Sequence, residues 1–174
     1  RAFLNYMYTL TSFEIEERCS LDEILHWGSL PKIINMSTEQ KISYLRSYVS
    51  LYLKEEILLE HFIKNLEPFR AFVEIAAQSN GKTVNYSNIS KDVGIDDKTV
   101  KNYYSILEDT LLGFYLPAYN KSVRKSQSFH PKFYFFDLGV KRAIERSLQD
   151  RFSKGSYSYG DAFEHFIILE FYRL

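Results

Sequence analysis

Residues 87–111 read SNISKDVGIDDKTVKNYYSILEDTL, and this stretch decides the fold. Ser87 can cap a short helix, because its hydroxyl accepts a backbone N–H from the first helical turn. Gly94 suits the tight turn that follows, and Asp96 or Asp97 can cap a second helix. Apolar residues recur at helical spacing in both helices: Ile89 and Val93 in the first, and Val100, Tyr104, Leu107 and Leu111 in the second. Two short helices joined by a glycine turn are typical of a helix-turn-helix.

The flanking sequence completes the order of a winged helix. A preceding helix is predicted to begin at Pro68 and to end at Gly81, with one apolar stripe made of Phe69, Phe72, Val73, Ala76 and Ala77. Residues 112–119 and 133–136 are rich in aromatic side chains and read as strands. The polar, basic residues 120–128 separate them. Helix, helix, strand, basic loop and strand follow one another in a winged helix.

The rest of the chain is predicted to be helical. A short helix over residues 21–27 lies between a capping serine and a glycine. A longer helix opens at Ser37 with a capping box and extends to about Leu66. Further helices are predicted over residues 138–149 and from about Asp161.

These elements predict a mostly α fold with a small β component, namely a helical segment plus a winged helix-turn-helix. A domain boundary is predicted near residues 66–69. Residues 1–66 then form the helical segment, residues 67–137 form the winged helix, and residues 138–174 are helices that begin a C-terminal domain.

Composition indicates a globular protein and excludes several kinds of site. The chain has 174 residues, with 22 Lys and Arg against 22 Asp and Glu, so its formal net charge is zero. Hydrophobic residues make up 45% and charged residues 25%, which are globular values. The single cysteine, Cys19, excludes an internal disulfide and a thiolate zinc site, and the histidines lack metal-ligand spacing. No apolar run approaches the length of a membrane span, so a cytoplasmic protein is expected.

One face of the second helix of the helix-turn-helix carries polar side chains that suit nucleic acid. Four of them follow at i, i+3, i+4 and i+7, opposite the apolar stripe: Lys98, Lys101, Asn102 and Ser105. From a helix in the major groove, lysine contacts phosphates and asparagine contacts base edges. The predicted wing adds Lys121, Arg124 and Lys125. These seven residues are the predicted DNA-binding residues. The alternative is an ordinary solvated face, since Glu108 and Asp109 lie one turn further on and would repel phosphates.

Three short motifs have the letters of catalytic signatures, but their predicted context argues against each. Gly81-Lys82-Thr83 ends like a P-loop, yet an amphipathic helix precedes it where a P-loop needs a buried strand. Glu39-Gln40-Lys41 and Asp96-Asp97-Lys98 have the letters of a metal-dependent nuclease motif, but both lie at predicted helix starts. Asp137 is predicted to cap the next helix. No catalytic, cofactor-binding or metal-ligating residue is therefore predicted.

Several segments, taken in order, resemble a known architecture. Leu30-Pro31 and Tyr44-Leu45-x-x-Tyr48 come before the winged helix. Residues 131–139, which read PKFYFFDLG, and Gly160-x-x-x-Glu164-x-x-Ile167 come after it. This order resembles the C-terminal half of predicted AAA+-superfamily ATPases found in bacteria and archaea. In that family a P-loop core is followed by a helical segment, a winged helix and an uncharacterised domain that looks like a restriction endonuclease.

The resemblance implies that this chain is a non-catalytic fragment of such an ATPase. The P-loop would come before Arg1 and the nuclease motif after Leu174, so ATP and Mg²⁺ are implied for the parent protein and no cofactor for these residues. Lys132 and Asp137 match the family's Pro-Lys-x-Tyr-Phe-x-Asp motif. Glu164 matches an acidic residue on the first helix of the nuclease-like domain. The chain's own ATPase core is an implied partner.

Three functions remain open at this point. In the first, the winged helix binds double-stranded DNA. In the second, the winged helix is a protein-interaction or intramolecular packing module, which contacts the ATPase core or another copy of the chain in a homo-oligomer. In the third, the chain hydrolyses ATP around Gly81-Lys82-Thr83. The sequence favours them in that order, and no membrane partner is expected.

Overall fold

A computed structural model describes residues 7–52, 66–119 and 130–174 of the chain. In these residues the protein is mostly helical and contains a small two-stranded antiparallel sheet, which confirms the predicted fold class.

The N-terminal part consists of helices and helical turns. It contains α1 (Ser12–Ile15), a 3₁₀ turn (Glu16–Arg18), α2 (Leu21–Trp27), a second 3₁₀ turn (Pro31–Ile33) and α3 (Thr38–Tyr52). Helix α2 has the predicted bounds, because Ser20 and Glu23 form a capping box and Gly28 follows at φ +78°. Ser37 and Gln40 cap α3 in the predicted way. The predicted extension of this helix towards Leu66 falls on residues 53–65, outside the described residues.

The helix-turn-helix has the predicted bend. Helix α4 (Leu66–Gln78) comes first, and α5 (Tyr86–Val93) and α6 (Asp97–Asp109) are joined by a turn in which Gly94 has a left-handed backbone at φ +77°. Asp96 caps α6 by accepting the Thr99 N–H at 2.9 Å. All five residues of the predicted α4 stripe are buried.

The predicted cap of α5 is wrong by two residues. Asn85 caps this helix, because its side-chain oxygen accepts the Asn88 N–H at 3.0 Å, and α5 therefore begins at Tyr86. The Ser87 hydroxyl instead donates to the Asp97 carboxylate at 2.6 Å. Ser87 thus links the starts of the two helices rather than capping the first.

Leu111 is not in the core, contrary to the prediction. Helix α6 ends at Asp109, and Leu111 has a left-handed backbone at φ +58° and is 54% exposed. The Leu112 N–H bonds to the Leu107 carbonyl, and the Leu111 N–H bonds to the Glu108 carbonyl, which is a Schellman termination. This turn rotates Leu111 outward and brings Leu112 into the core in its place.

Two short strands follow and pair in antiparallel fashion. Strand β1 (Gly113–Leu116) and strand β2 (Lys132–Phe135) place Gly113 opposite Phe135. An isolated bridge between Thr83 and Lys132 adds the segment before α5 on the side of β2 away from β1. The order of elements is therefore the predicted one; β1 is shorter than the predicted residues 112–119, and β2 has the predicted four residues but begins one residue earlier. The predicted wing, residues 120–128, lies outside the described residues.

Two helices complete the chain. Helix α7 (Leu138–Ile144) starts directly after β2 and is shorter than predicted, because Arg146 has a left-handed backbone at φ +63°. Helix α8 (Tyr157–Arg173) starts four residues before the predicted Asp161, because the Ser156 hydroxyl accepts the Tyr159 N–H and caps it.

The sheet lies between two cores, since successive side chains of a strand point to opposite faces. Phe133 and Phe135 belong to the larger core, with the helix-turn-helix, α3 and α7. Phe114 and Tyr134 belong to the smaller core, with α2 and α8. The larger core contains residues from all three predicted segments, for example Leu45, Phe72 and Val140. The domain boundaries themselves stay a prediction.

Helices α2 and α7 meet so closely that two glycines are required. A Cβ atom on Gly139 would overlap the backbone carbonyl oxygen of Trp27, and one on Gly28 would overlap the Asp137 carboxylate. Gly160, in α8, has nothing within 4 Å of the place that a Cβ would occupy.

Gly139→Ala is therefore expected to lower the free energy of unfolding by about 1–3 kcal/mol, because the added methyl group forces α2 away from α7. Gly160→Ala is the matched control. It is expected to raise the free energy of unfolding by roughly 0.5–1 kcal/mol through helix propensity alone. Urea unfolding measures both, and equal effects of the two substitutions would contradict the packing described here.

Candidate nucleic-acid interface

The predicted polar face of α6 exists and is accessible. Lys98, Lys101, Asn102 and Ser105 are all exposed, whereas Val100, Tyr104 and Leu107 are buried on the opposite side of the helix. This division follows from the helical period, which places residues at i, i+3, i+4 and i+7 on one face. We refer to the four exposed residues as the α6 face.

An aromatic group links the α6 face to the two strands of the sheet. The Lys101 ammonium lies 5.2 Å from the centre of the Tyr86 ring, a cation–π geometry. The Tyr86 hydroxyl is 3.3 Å from the Tyr115 hydroxyl in β1. The His130 ring, just before β2, packs edge-on against Tyr86 at 6.2 Å between ring centres. Tyr86 therefore contacts Lys101 on α6, Tyr115 on β1 and His130 just before β2.

The remaining predicted residues of the interface, Lys121, Arg124 and Lys125, lie outside the described residues. The sequence does not single out Tyr86, Tyr115 or His130. The one available signal is Asn85, whose capping role would have placed Tyr86 at the start of α5, where its side chain can reach α6.

Carboxylates lie at both ends of α6. At the N-terminal end, hydrogen bonds from Thr99 lower the pKa of Asp96, and hydrogen bonds from Ser87 and Ser90 lower that of Asp97. Both groups are therefore negatively charged at neutral pH. Glu108 and Asp109 are exposed at the C-terminal end. The positive charge of the helix therefore lies in its first two turns, on Lys98, which directly follows Asp97, and on Lys101.

The residues that match the Lys-x-Tyr-Phe-x-Asp motif join the sheet to α8. The Lys132 ammonium is 2.8 Å from a Glu164 carboxylate oxygen, and the Tyr134 hydroxyl donates to the same oxygen at 2.6 Å. These two contacts lower the pKa of Glu164, and burial together with the Glu164 charge raises that of Tyr134. Lys132 and Glu164 are partly exposed, so their ion pair contributes little to stability.

Asp137 caps α7, as predicted. Its fully buried carboxylate accepts the Val140 N–H at 3.0 Å and the Ser29 N–H at 2.8 Å. Burial raises the pKa of this carboxyl group, while the two backbone donors act in the opposite direction. Both oxygens are therefore occupied by backbone groups, and Asp137 has a structural role.

His165 is buried between α8 and β2. Its Nε2 is 2.7 Å from the Phe135 carbonyl oxygen, and its Nδ1 is 3.3 Å from the Asn80 side-chain nitrogen. Asn80 in turn accepts the Phe135 N–H at 2.9 Å. Burial lowers the pKa of His165 to about 3, so the ring is neutral, with Nε2 donating to the carbonyl. It is one of the histidines that the sequence assigns to packing or to the surface.

The region of Gly81-Lys82-Thr83 has the context of a helix end. Helix α4 precedes it, Gly81 has φ +75°, and Thr83 forms the isolated bridge to Lys132. Among the described residues, no group of three or more His, Cys, Asp and Glu side chains is placed to hold a metal ion. Over the same residues, no helix has both the length and the apolar character that crossing a membrane requires.

A family model described as a domain of unknown function, DUF8612, matches residues 18–151. The chain belongs to this family. The DUF8612 region runs from the residues before α2 to those after α7, so it contains the helix-turn-helix, both strands and the α6 face. Comparison with curated proteins and with solved structures found no match.

The neutral state of His165 predicts a specific pH dependence. Unfolded histidine has a pKa of about 6.5, so below that pH the unfolded chain binds a proton that the folded chain excludes. Stability is therefore lost as the pH falls from about 6.5 towards 3. His165→Gln keeps a donor for the Phe135 carbonyl but cannot titrate. Between pH 7 and pH 5, the native chain should lose about 2 kcal/mol more stability than this variant.

Urea unfolding at several pH values measures the difference in the free energy of unfolding between the native chain and the variant. The titration of all other groups cancels in this difference. A constant difference between pH 7 and pH 5 would contradict the burial of a neutral His165.

Proposed function

We propose that this chain is the non-catalytic C-terminal part of a cytoplasmic AAA+ ATP-binding protein, and that its winged helix binds double-stranded DNA. The observation that carries the DNA-binding proposal is the α6 face, whose lysines are exposed, and where Lys101 lies against Tyr86, which also contacts Tyr115 in β1 and His130 just before β2. The order of the sequence motifs supports the assignment to an ATPase. ATP and Mg²⁺ would then bind to the parent's own core, which is also an expected partner.

The charge distribution favours one way of binding to DNA. Helix α6 is about 20 Å long, which fits the major groove. Glu108 and Asp109 at the C-terminal end would be repelled by phosphates, so the first two turns, which carry Lys98 and Lys101, make the closest approach. In this orientation Lys98 and Lys101 contact phosphates, and Asn102 reaches base edges. The loop with Lys121, Arg124 and Lys125 extends the contact along the neighbouring backbone.

Replacing both Lys98 and Lys101 by alanine is expected to weaken binding to a mixed-sequence duplex. It should also reduce the steepness of the salt dependence by about 2, because each phosphate contact adds roughly 1 to the slope. Fluorescence anisotropy with a labelled duplex, titrated between about 50 and 200 mM salt, measures both quantities.

Arg46→Ala is the matched control, since Arg46 is an exposed cation on α3, outside the winged helix. It is expected to leave the slope unchanged. Binding by the native chain that does not fall with salt, or an equal loss in both variants, would argue against phosphate contacts from the α6 face.

A second candidate function, protein interaction, is favoured by the outer side of α8. Phe163, Ile167 and Phe171 follow at intervals of four residues on one face, and they are 41%, 37% and 72% exposed. Leu174 continues the stripe and is 96% exposed. We call these four residues the α8 stripe. Contiguous apolar surface of this kind is typical of protein–protein interfaces, and a second copy of the chain is the partner that we propose to test.

Under this candidate, the chain is expected to form dimers or larger oligomers, and Phe171→Ser is expected to shift it towards the monomer. Light scattering coupled to gel filtration measures the mass over a range of concentrations. Tyr157→Ser is the control, because Tyr157 is 83% exposed on the same helix but lies off the stripe. A monomer at every concentration, or the same response to both substitutions, would exclude self-association through α8.

A further inference from the structure

Asp97 and Lys101 have the spacing of an ion pair that α6 does not form. They lie four residues apart on one helix, with the carboxylate nearer the N-terminus, which is the order that favours such pairs. In the part of the chain that the structure describes, Lys101 nevertheless forms no ion pair. By contrast, Lys141 and Glu145, with the same spacing in the less favourable order, pair at 2.7 Å at the end of α7. Neighbouring contacts must therefore keep Lys101 away from Asp97.

The Lys101 ammonium is held by Tyr86, the first residue of α5. It lies 5.2 Å from the centre of the Tyr86 ring. This ring is itself fixed, because it packs edge-on against the buried Tyr104 ring at 6.0 Å between ring centres, and its hydroxyl is 3.3 Å from the Tyr115 hydroxyl. A fixed ring reduces the number of rotamers that the lysine side chain can occupy.

The Asp97 carboxylate is held by Ser87, the residue that follows Tyr86. The Ser87 hydroxyl donates to this carboxylate at 2.6 Å. Two consecutive residues of α5 thus hold the two charged groups of α6 separately. A lysine without a carboxylate partner can contact a phosphate directly, whereas an ion-paired lysine must first give up its partner.

We propose that Tyr86 and Ser87 are positioning residues of the DNA-binding site. They keep Lys101 apart from Asp97, so that its ammonium is ordered and unpaired when a duplex phosphate approaches. An ordered side chain loses less conformational entropy on binding, and the phosphate meets no competing carboxylate. This inference rests on the proposed function and extends the site from α6 to the start of α5.

The position of Lys101 can be tested without DNA. Protons that lie over the face of an aromatic ring resonate at lower chemical shift, so the ε-CH₂ protons of Lys101 should be shifted upfield. We expect this shift in ¹H–¹³C NMR spectra of the lysine-labelled native chain and of Tyr86→Phe, and its loss in Tyr86→Leu. The spectrum of Lys101→Ala assigns the resonance. An unshifted resonance in the native chain, or a shift that persists in Tyr86→Leu, would overturn the role of Tyr86.

Fluorescence anisotropy with a labelled duplex at about 100 mM salt measures the consequence for binding. Tyr86→Leu is expected to weaken the affinity roughly two- to fivefold and Ser87→Ala about twofold, whereas Tyr86→Phe, which keeps the ring, should bind like the native chain. Asp97→Asn removes the carboxylate that would otherwise capture Lys101. It should therefore raise the affinity by a factor about twice as large in the Tyr86→Leu and Ser87→Ala backgrounds as in the native background.

The outcomes separate this inference from the proposed function. The same effect of Asp97→Asn in all backgrounds, or native affinity in both Tyr86→Leu and Ser87→Ala, would refute the positioning role. A native chain that does not bind the duplex would refute the proposed function instead, and the NMR shift then decides whether Tyr86 holds Lys101. If Tyr86→Leu does not fold, Ser87→Ala supplies the comparison, because Ser87 is exposed.

Discussion

The buried carboxylate of Asp137 holds together parts of the chain that are far apart in sequence. It follows β2 directly, caps α7 through the Val140 N–H, and accepts the Ser29 N–H from the segment after α2. Arg173, near the end of α8, adds a favourable positive charge close by. Removing a carboxylate of this kind would leave backbone donors buried without acceptors. Because Gly139 has no side chain, α2 can approach closely enough for this arrangement to form.

Sequence patterns predict those elements whose causes are local. The Gly94 turn, the α4 stripe and the Asp137 cap each depend on residues within one or two helical turns, and each has the predicted role. The wrong predictions occur where the local sequence allows two different helix caps or helix ends. Asn85 and Ser87 are both good caps, and the choice between them depends on Asp97, which offers the Ser87 hydroxyl a partner from the next helix. Leu111 fits the helical period, but the Schellman turn ends that period first.

The candidate site also has one part that the sequence predicts and another that depends on how the elements pack. The α6 face follows from periodicity, since the side that buries Tyr104 leaves Lys101 exposed. The position of Tyr86 against Lys101 and His130 does not follow from any spacing, because it requires α5, α6 and β2 to be packed together. The same limit applies to Arg142. Its sequence neighbourhood resembles an ordinary helix end, and only the folding of residues 147–152 against α7, which brings the Ser147 and Asp150 carbonyls and the Phe152 ring to the guanidinium, makes it a buried cation.

The alternation of side chains along the two strands also determines where the two candidate binding surfaces lie relative to the sheet. Phe133 faces the helix-turn-helix, and Tyr134, its neighbour, faces α8. The polar side of α6 and the α8 stripe both point away from the sheet, from opposite sides of it. A duplex on the α6 face would therefore not compete with a protein on the α8 stripe. The two proposed contacts therefore use separate surfaces, so DNA binding and self-association can be tested independently rather than as rival explanations of one surface.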